Sequence, residues 1–444
     1  MNVADSELMA QALADDYVLT ETPEEADLYL INTCAIRRKA EEKVRSLLGS
    51  LKAWKKQRPR LILGVGGCVA QQEGERLLAA APHLDLVFGT QGLKRLPELV
   101  RRAAQGQRPL HLELDQPFAP FKRQWRLAPA QTFVTIMQGC DNFCTYCVVP
   151  YVRGREMSRE PGAIVAEVSD FLAAGGKEVT LLGQNVNSYG RGLAEPLAFP
   201  GLLRRLARLP GLDRLRFATS HPRDLSRELM AAFAELPALC EHLHLPVQAG
   251  ANRILQAMNR GYTRETYLEK VARLRQICPG IAISTDLIVG FPGETEADFD
   301  QTLDLMQEAA FEMAFSFKYS PRPQTRAAAL DGQVPEAVKA ERLARLQARQ
   351  DELTFKANRR HVGQVEEVLV EGDSRRSPHQ LCGRLRTNQV VNFTGPRELV
   401  GRLTPLEILE AQSHSLKGRW LEAPSLTLRP LADCPLASPR EVTC

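Results

Sequence analysis

The sequence predicts an α/β protein built from a doubly wound parallel sheet, a six-unit partial βα barrel and a small closed β-barrel. Strand–turn–helix units repeat over the first hundred residues, six strand–helix units follow, and short strands separated by turns come near the carboxyl end. Alternating strands and helices are typical of parallel sheets, and many short strands are typical of a barrel. We predict an N-terminal domain at 1–105, a linker at 106–130, the partial barrel at 131–357, the small barrel at 358–424 and a tail at 425–444.

Composition indicates an ordinary water-soluble protein. Of 444 residues, 44% are hydrophobic and 25% are charged, and the net charge of +4 is too small to indicate nucleic-acid binding by itself. There is neither an apolar run of membrane-spanning length nor a signal-peptide pattern, so we expect no membrane partner. Ten cysteines without a secretory signal indicate reduced thiols that bind metal, in the cytoplasm or in an organelle that makes iron–sulfur clusters. Cysteines without ligand spacing are expected to be core residues or free thiols: Cys240, Cys278, Cys382, Cys434 and Cys444.

Two cysteines of the N-terminal domain each follow directly after a predicted strand. Cys34 follows the strand Asp27–Thr33, and Cys68 follows the strand Leu61–Val65 and two glycines. Ligands of parallel sheets bind at the carboxyl ends of the strands, so the two thiols predict a metal site at one rim of the sheet. The glycines there do not complete a G-x-G-x-x-G dinucleotide fingerprint.

Three further cysteines, Cys140, Cys144 and Cys147, have the spacing C-x-x-x-C-x-x-C after the predicted strand Phe133–Met137. Three thiolates can each ligate one iron of a four-iron cluster and leave the fourth iron open. The alternatives are a zinc site or three buried structural cysteines. Zinc sites usually add a second pair of cysteines or histidines, and no such pair follows here.

Polar side chains lie at the ends of the predicted barrel strands, where the chemistry of βα barrels takes place. Directed hydrogen bonds from such side chains can hold a polar cofactor. His221 and Asp286 are explained equally well as turn and capping residues, and Glu294-Thr295 as the start of a helix. Arg153 and Arg155 either meet a phosphate or substrate or form a solvated loop. The candidates at the strand ends are Gln184, Asn185, Asn187, Ser220, His221, Gln248 and Asp286.

With Tyr146 before its last cysteine, the three-cysteine loop resembles the signature of the radical S-adenosylmethionine (SAM) enzymes. This resemblance implies a six-unit barrel and a [4Fe-4S] cluster on Cys140, Cys144 and Cys147, whose open iron binds SAM. It also implies that loops at the barrel rim surround SAM. The cofactor-binding residues expected on this basis are Tyr146, Gln184, Asn185, Ser220, Gln248 and Asp286.

The N-terminal region resembles that of the methylthiotransferases, which are radical SAM enzymes with a second [4Fe-4S] cluster on three cysteines. Cys34 and Cys68 match two of these ligands. In the family the first ligand lies in a Gly-Cys-x-Met-Asn stretch, and Met1-Asn2 resembles the end of that stretch. We therefore expect the first strand and the third auxiliary ligand to be absent from this chain.

The stretches Asn32–Val44 and Cys144–Glu156 resemble most closely the family members that act on tRNA. The resemblance implies transfer of a methylthio group to carbon 2 of isopentenyl-adenosine next to the anticodon, with the anticodon stem-loop as partner. Residues 358–424 resemble the RNA-binding TRAM domain, with Arg384, Arg386, Lys417, Arg419 and Trp420 as candidate RNA contacts. We expect a monomer reduced by flavodoxin or ferredoxin. The alternatives are action on threonylcarbamoyl-adenosine tRNA, action on a ribosomal protein, or a non-catalytic single-cluster RNA-binding protein.

Overall fold

The computed structural model describes residues 1–35, 38–114, 125, 128–374, 377 and 379–421. The predicted tail, with Cys434 and Cys444, lies outside these residues. Within them, no helix has both the length and the apolarity needed to cross a membrane.

The N-terminal part is a parallel sheet with helices on both faces, as predicted. Its four strands pair in the order β1-β2-β3-β4. The side chains of α2 and α3 pack on one face, and those of α1 and α4 pack on the other. The elements are β1 (Leu28–Thr33), β2 (Ile62–Gly67), β3 (Leu86–Phe88), β4 (Leu110–His111), α1 (Asn2–Ala12), α2 (Arg38–Gln57), α3 (Cys68–Ala80) and α4 (Leu96–Ala104).

The fourth strand differs from the sequence analysis, which places residues 106–130 in a linker. Leu110 and His111 pair in parallel with Val87 and Phe88 of β3 and extend the sheet by one strand. His111 is buried there. A two-residue strand has no alternation of side chains to reveal it in the sequence.

The central part is a partial barrel of six parallel strands in two three-stranded halves, β5-β8-β9 and β10-β11-β12. The halves adjoin where Leu215 of β9 forms a bridge with Leu239. A separate antiparallel pair, β6 and β7, carries the cysteine loop. The strands are β5 (Gln131–Thr135), β6 (Met137–Gln138), β7 (Met157–Ser158), β8 (Glu178–Leu182), β9 (Arg214–Ala218), β10 (His242–His244), β11 (Ala282–Val289) and β12 (Met313–Lys318).

Helices cover the outside of this barrel and bury a continuous apolar core against alternate strand residues. Thr295, which the sequence analysis also reads as a helix start, caps α11 in a reciprocal capping box with Asp298. The helices are α5 (Val149–Arg153), α6 (Pro161–Ala173), α7 (Phe199–Ala207), α8 (Arg227–Glu235), α9 (Asn252–Ala257), α10 (Arg264–Ile277), α11 (Glu296–Ala309) and α12 (Glu336–Asn358).

The carboxyl-terminal part is a closed five-stranded barrel, which confirms the predicted small β-barrel. It docks at the end of the central barrel where the strands begin. There Arg214 donates hydrogen bonds to the carbonyl oxygens of Arg384 and Glu367, and Arg216 donates to those of Leu385 and Arg386. The strands are β13 (Val365–Asp373), β14 (Leu381–Arg384), β15 (Val390–Phe393), β16 (Leu403–Ala411) and β17 (Leu416–Trp420).

Candidate functional site

The three-cysteine loop runs from β6 to α5 and is fastened at several points. Cys140 N donates to Gly154 O at 3.3 Å, and Cys147 N donates to Cys144 O at 3.0 Å. Thr145 N donates to Met258 O at 3.1 Å, which ties the loop to the segment after α9. These backbone bonds fix the positions of the three thiols before any ligand binds.

Gly139 makes the turn into this loop possible. Its φ is +78°, and a Cβ atom at this position would lie 1.9 Å from the carbonyl oxygen of Arg155. Any larger side chain would therefore meet both backbone strain and a collision with the main chain. The loop needs glycine at its first position.

The thiols have the chemistry expected of cluster ligands. Cys144 is buried, and Cys140 and Cys147 are half-buried. Burial is the main cause that raises the pKa of Cys140 to about 11 and that of Cys147 to about 12. These two thiols are therefore protonated at neutral pH until a metal replaces the protons.

Three thiols on one loop can each ligate one iron of a four-iron cluster and leave the fourth iron open. In the described part of the chain, no group of three or more His, Cys, Asp or Glu side chains is arranged to hold a single metal ion. The soft sulfur donors of Cys140, Cys144 and Cys147 suit iron in such a cluster.

A buried arginine that the sequence analysis missed contacts this loop. Arg260 Nη1 donates to Cys144 Sγ at 3.3 Å and to the Tyr146 hydroxyl at 3.4 Å. Burial alone would lower the pKa of Arg260, but Tyr146, Tyr262 and Cys144 raise it well above its ordinary value. Burial also raises the pKa of Tyr146 well above its usual range. The site thus combines sulfur ligands, a neutral phenol and a permanent cation.

The carboxyl ends of the first barrel strands carry buried polar atoms without partners. Among the described residues, nothing satisfies Gln138 Nε2, Gln184 Oε1, the amide of Asn187, Ser220 Oγ or His221 Nε2. Buried polar atoms are normally hydrogen-bonded, and unsatisfied ones call for a water, an ion or a ligand. Hydrogen-bonding groups of this kind can hold a polar cofactor at the barrel rim.

The structure brings Gln184, Asn185 and Ser220 together at the ends of β8 and β9. The Gln184 side chain also contacts the sulfur of Met1. Asn185 is already engaged, because its Nδ2 donates to Asp224 at 2.7 Å and its Oδ1 accepts from His221 N at 3.1 Å. Of these three, Gln184 and Ser220 retain free polar atoms, while Asn185 braces the loops around them.

The other two predicted residues lie in the second half of the barrel. Gln248 is buried with a φ of +79°, and its backbone N–H donates to Asp286 O at 2.9 Å. The Asp286 carboxylate lies 3.6 Å from His244 Nε2. His221 is a buried turn residue whose Nδ1 accepts from Arg223 N, and burial lowers its pKa to about 2.

Cys34 and Cys68 lie at the carboxyl ends of β1 and β2, as predicted, and they are close enough to interact electrostatically. Arg153, the last residue of α5, lies close enough to Cys68 to interact with it electrostatically, and it forms a 2.7 Å ion pair with Asp5. Burial raises the pKa of the Cys68 thiol, and Arg153 opposes that rise. The five-residue helix α5 therefore connects the three-cysteine loop to the N-terminal cysteine pair.

The two arginines that follow the loop have different surroundings. Arg153 is buried between the N-terminal domain and the barrel, whereas Arg155 is exposed and pairs with Asp141 at 2.7 Å. Neither environment can be read from the sequence, because the partner of Arg153 lies 148 residues away in α1.

Three family models match separate parts of the chain. The radical SAM superfamily matches residues 134–306, the TRAM domain matches residues 359–421, and the uncharacterized protein family UPF0004 matches residues 1–89. The first two matches agree with the observed partial barrel and closed β-barrel.

Curated relatives match over almost the whole chain. The tRNA-2-methylthio-N(6)-dimethylallyladenosine synthase of Geobacter metallireducens is 53% identical over 426 residues, which cover 94% of this chain and 95% of the relative. The protein of the same name from Moorella thermoacetica is 50% identical over 427 residues, with 95% and 96% covered.

Solved structures support the fold alone, because their sequence identity is low. Two structures of TsrM, a radical SAM methyltransferase from Kitasatospora setae, align with TM-scores of 0.54 and 0.55 at 17% and 16% identity. They cover 73% and 74% of this chain, and the matched parts make up 73% and 72% of the TsrM chains.

Proposed function

The chain belongs to the tRNA-2-methylthio-N(6)-dimethylallyladenosine synthases, radical SAM enzymes with a TRAM domain, and we propose that it catalyses the reaction this name describes. A methylthio group would replace the hydrogen on carbon 2 of dimethylallyl-adenosine, also called isopentenyl-adenosine, in tRNA. The observation that carries this proposal is the connection of two cysteine groups through α5, where Val152 and the preceding Val148 pack in one apolar core with Cys68. Methylthiolation needs a radical-generating site and a sulfur-bearing site near one another.

In this proposal Cys140, Cys144 and Cys147 hold the [4Fe-4S] cluster that membership of the radical SAM superfamily implies. When bound, the cluster and SAM supply the one-electron chemistry that removes an unactivated hydrogen. Tyr146 lies between two of the ligands and excludes water from the cluster. Gln184 and Ser220 supply polar atoms to SAM, and Asn185, Gln248 and Asp286 hold the surrounding loops.

We further propose that Cys34 and Cys68 supply two of the ligands of a second [4Fe-4S] cluster, which would carry the sulfur to be transferred. Both thiols follow strand ends, and Cys68 packs against α5, the helix that follows the cysteine loop. Arg153 opposes the rise in the pKa of Cys68 that burial causes, and so would favour the thiolate that ligates iron. This second cluster is the difference between a methylthiotransferase and a radical SAM protein that only cleaves SAM.

The partner is the anticodon stem-loop of tRNA, and the closed carboxyl-terminal barrel is the expected RNA-binding domain. Lys417 and Arg419 lie on β17 and pair with Glu410 and Glu407, so RNA phosphates would have to compete with these carboxylates. Arg386 has a different role, because it binds Glu241 and the carbonyl oxygens of Pro237 and Leu239 in the central barrel. We expect a cytoplasmic monomer that receives electrons from flavodoxin or ferredoxin.

Nucleoside analysis of tRNA tests the proposed reaction. In a strain without its own synthase, the chain should convert dimethylallyl-adenosine to the methylthio form. The C144A variant should fail to do so, and the matched control C278A should succeed, because Cys278 lies in the helix-packed core outside the site. An unchanged level of the methylthio nucleoside on adding the chain would overturn the proposal.

A further inference from the structure

Arg260 occupies an unusual position for a charged residue. Its side chain is only 3% exposed, and its three nitrogens all donate hydrogen bonds. Nε donates to the Tyr262 hydroxyl at 2.9 Å, Nη2 donates to Pro246 O at 2.6 Å, and Nη1 donates to Cys144 Sγ at 3.3 Å. The guanidinium is therefore held rigidly with one edge toward the cysteine loop.

Arg260 differs from the other buried arginines in lacking a carboxylate partner. In the part of the chain that the structure describes, every other buried arginine forms an ion pair with Asp or Glu, and Arg260 forms none. The other buried arginines are Arg153, Arg159, Arg214, Arg216, Arg322 and Arg342. A buried charge without a partner is costly, so the geometry calls for an anion beside Arg260.

The anion within reach is sulfur. The Cys144 thiol becomes a thiolate when it ligates iron, and reduction of the cluster adds a further negative charge. A cation and a hydrogen bond at the ligand sulfur stabilise this added charge, and burial strengthens the effect because little water screens it.

We infer that Arg260 is the charge partner of the cluster on the three-cysteine loop and raises its reduction potential. The inference rests on the proposed assignment of Cys144 as a cluster ligand and goes beyond it by naming a positioning residue that makes the electron-accepting step easier. A purely structural role would use the bonds to Pro246 and Tyr262 and would leave the potential unchanged.

Potentiometric titration of the cluster, followed by electron paramagnetic resonance, distinguishes these roles. The full chain is reconstituted anaerobically with iron and sulfide in a C68A background, so that the N-terminal site contributes little signal. R260M should lower the ratio of reduced to oxidised cluster at a fixed potential by about tenfold or more, which is a shift of about 59 mV for one electron. R260K keeps the positive charge but loses the planar set of guanidinium donors, so its reduction potential should shift less than that of R260M.

Arg223 provides the matched control. Its side chain also contacts the loop, at Asn142, but it is 42% exposed and donates no hydrogen bond to a ligand sulfur in the described contacts. The cluster of R223M should therefore have the same reduction potential as the cluster of the parent chain. A parent-like potential for R260M would overturn the inference. If R260M binds no iron, R260Q takes its place with the same expected shift, and failure of the parent chain itself to bind iron would instead count against the proposed function.

Discussion

A buried arginine lies beside each cysteine site, but the two arginines differ in their partners. Arg153 lies near Cys68 and is paired with Asp5 at 2.7 Å, so its charge is largely balanced within the protein. Arg260 contacts Cys144 and has only hydroxyl, carbonyl and sulfur partners among the described residues. The Arg153–Asp5 pair joins the N-terminal domain to the barrel and carries no net charge. An unbalanced cation favours the arrival of an electron, which the barrel site requires.

The largest expected effect is the loss of iron from one site at a time. C144A should lower the iron content of the reconstituted chain by about four atoms and remove the signal of the barrel cluster. C68A should leave that cluster in place and lose the iron bound at the N-terminal site.

Iron and sulfide analysis with C278A as the control checks this separation. If C68A also abolished the barrel signal, the two sites would not be independent, and the comparison between them would fail.

Removal of Arg153 should have the next largest effect, because it would leave Asp5 buried and unpaired. Both side chains are largely buried, at 9% and 13% exposure, and breaking such a pair costs about 3–5 kcal/mol. R153M should therefore lower the free energy of unfolding by about this amount.

In the double variant R153M/D5L, much of the loss should return, since both charges are then absent. Denaturant unfolding of the two single variants and the double variant measures the coupling. Strictly additive losses would show that the Arg153–Asp5 pair is not the link described here.

A smaller effect is expected from adding one methyl group at Gly139. G139A would combine a positive φ with a collision at the Arg155 carbonyl, whereas Gly106 has a φ of +81° and open space around it. G106A should lose about 1 kcal/mol of stability from backbone strain alone. G139A should lose more and also bind less iron. Equal losses in thermal unfolding, with full iron binding by both variants, would contradict the required turn.

The smallest effect at neutral pH is expected from His221. Burial, and then the charge of Arg260, lower its pKa to about 2. The unfolded chain takes up this proton near the ordinary pKa of about 6.5, whereas the folded chain does not, so the histidine destabilises the fold only as pH falls below about 6.5.

We therefore expect the free energy of unfolding in urea to fall less between pH 7 and pH 5 for H221Q than for the parent, when each protein is compared with its own value at pH 7. The R260M variant should also lose some acid sensitivity, because one of the cations facing His221 is gone. If the stability of H221Q had the same pH dependence as that of the parent, the lowered pKa of the His221 ring would be contradicted.

The sequence predicted those features that depend on local patterns. The strand predicted at Asp27–Thr33 is observed at Leu28–Thr33, because an apolar run marks it, and the closed β-barrel followed from short strands between turns. The three-cysteine loop could be found because its ligands lie within eight residues of one another.

The features that the sequence missed depend on contacts between distant residues. Arg260 meets Cys144 across 116 positions, and no periodicity or spacing marks it. Arg386 was a candidate RNA contact, but its partner Glu241 lies 145 positions away in the central barrel. Such pairs arise from tertiary packing, which a single sequence does not reveal.

The most direct test of the two-site account is an anaerobic assay with dimethylallyl-adenosine tRNA, SAM and a chemical reductant. The parent chain should cleave SAM and form the methylthio nucleoside. C68A should still cleave SAM and form none, because only its barrel site remains intact. Methylthio product from C68A at the parent rate would contradict the proposal that Cys68 serves sulfur transfer and the three-cysteine loop serves SAM cleavage.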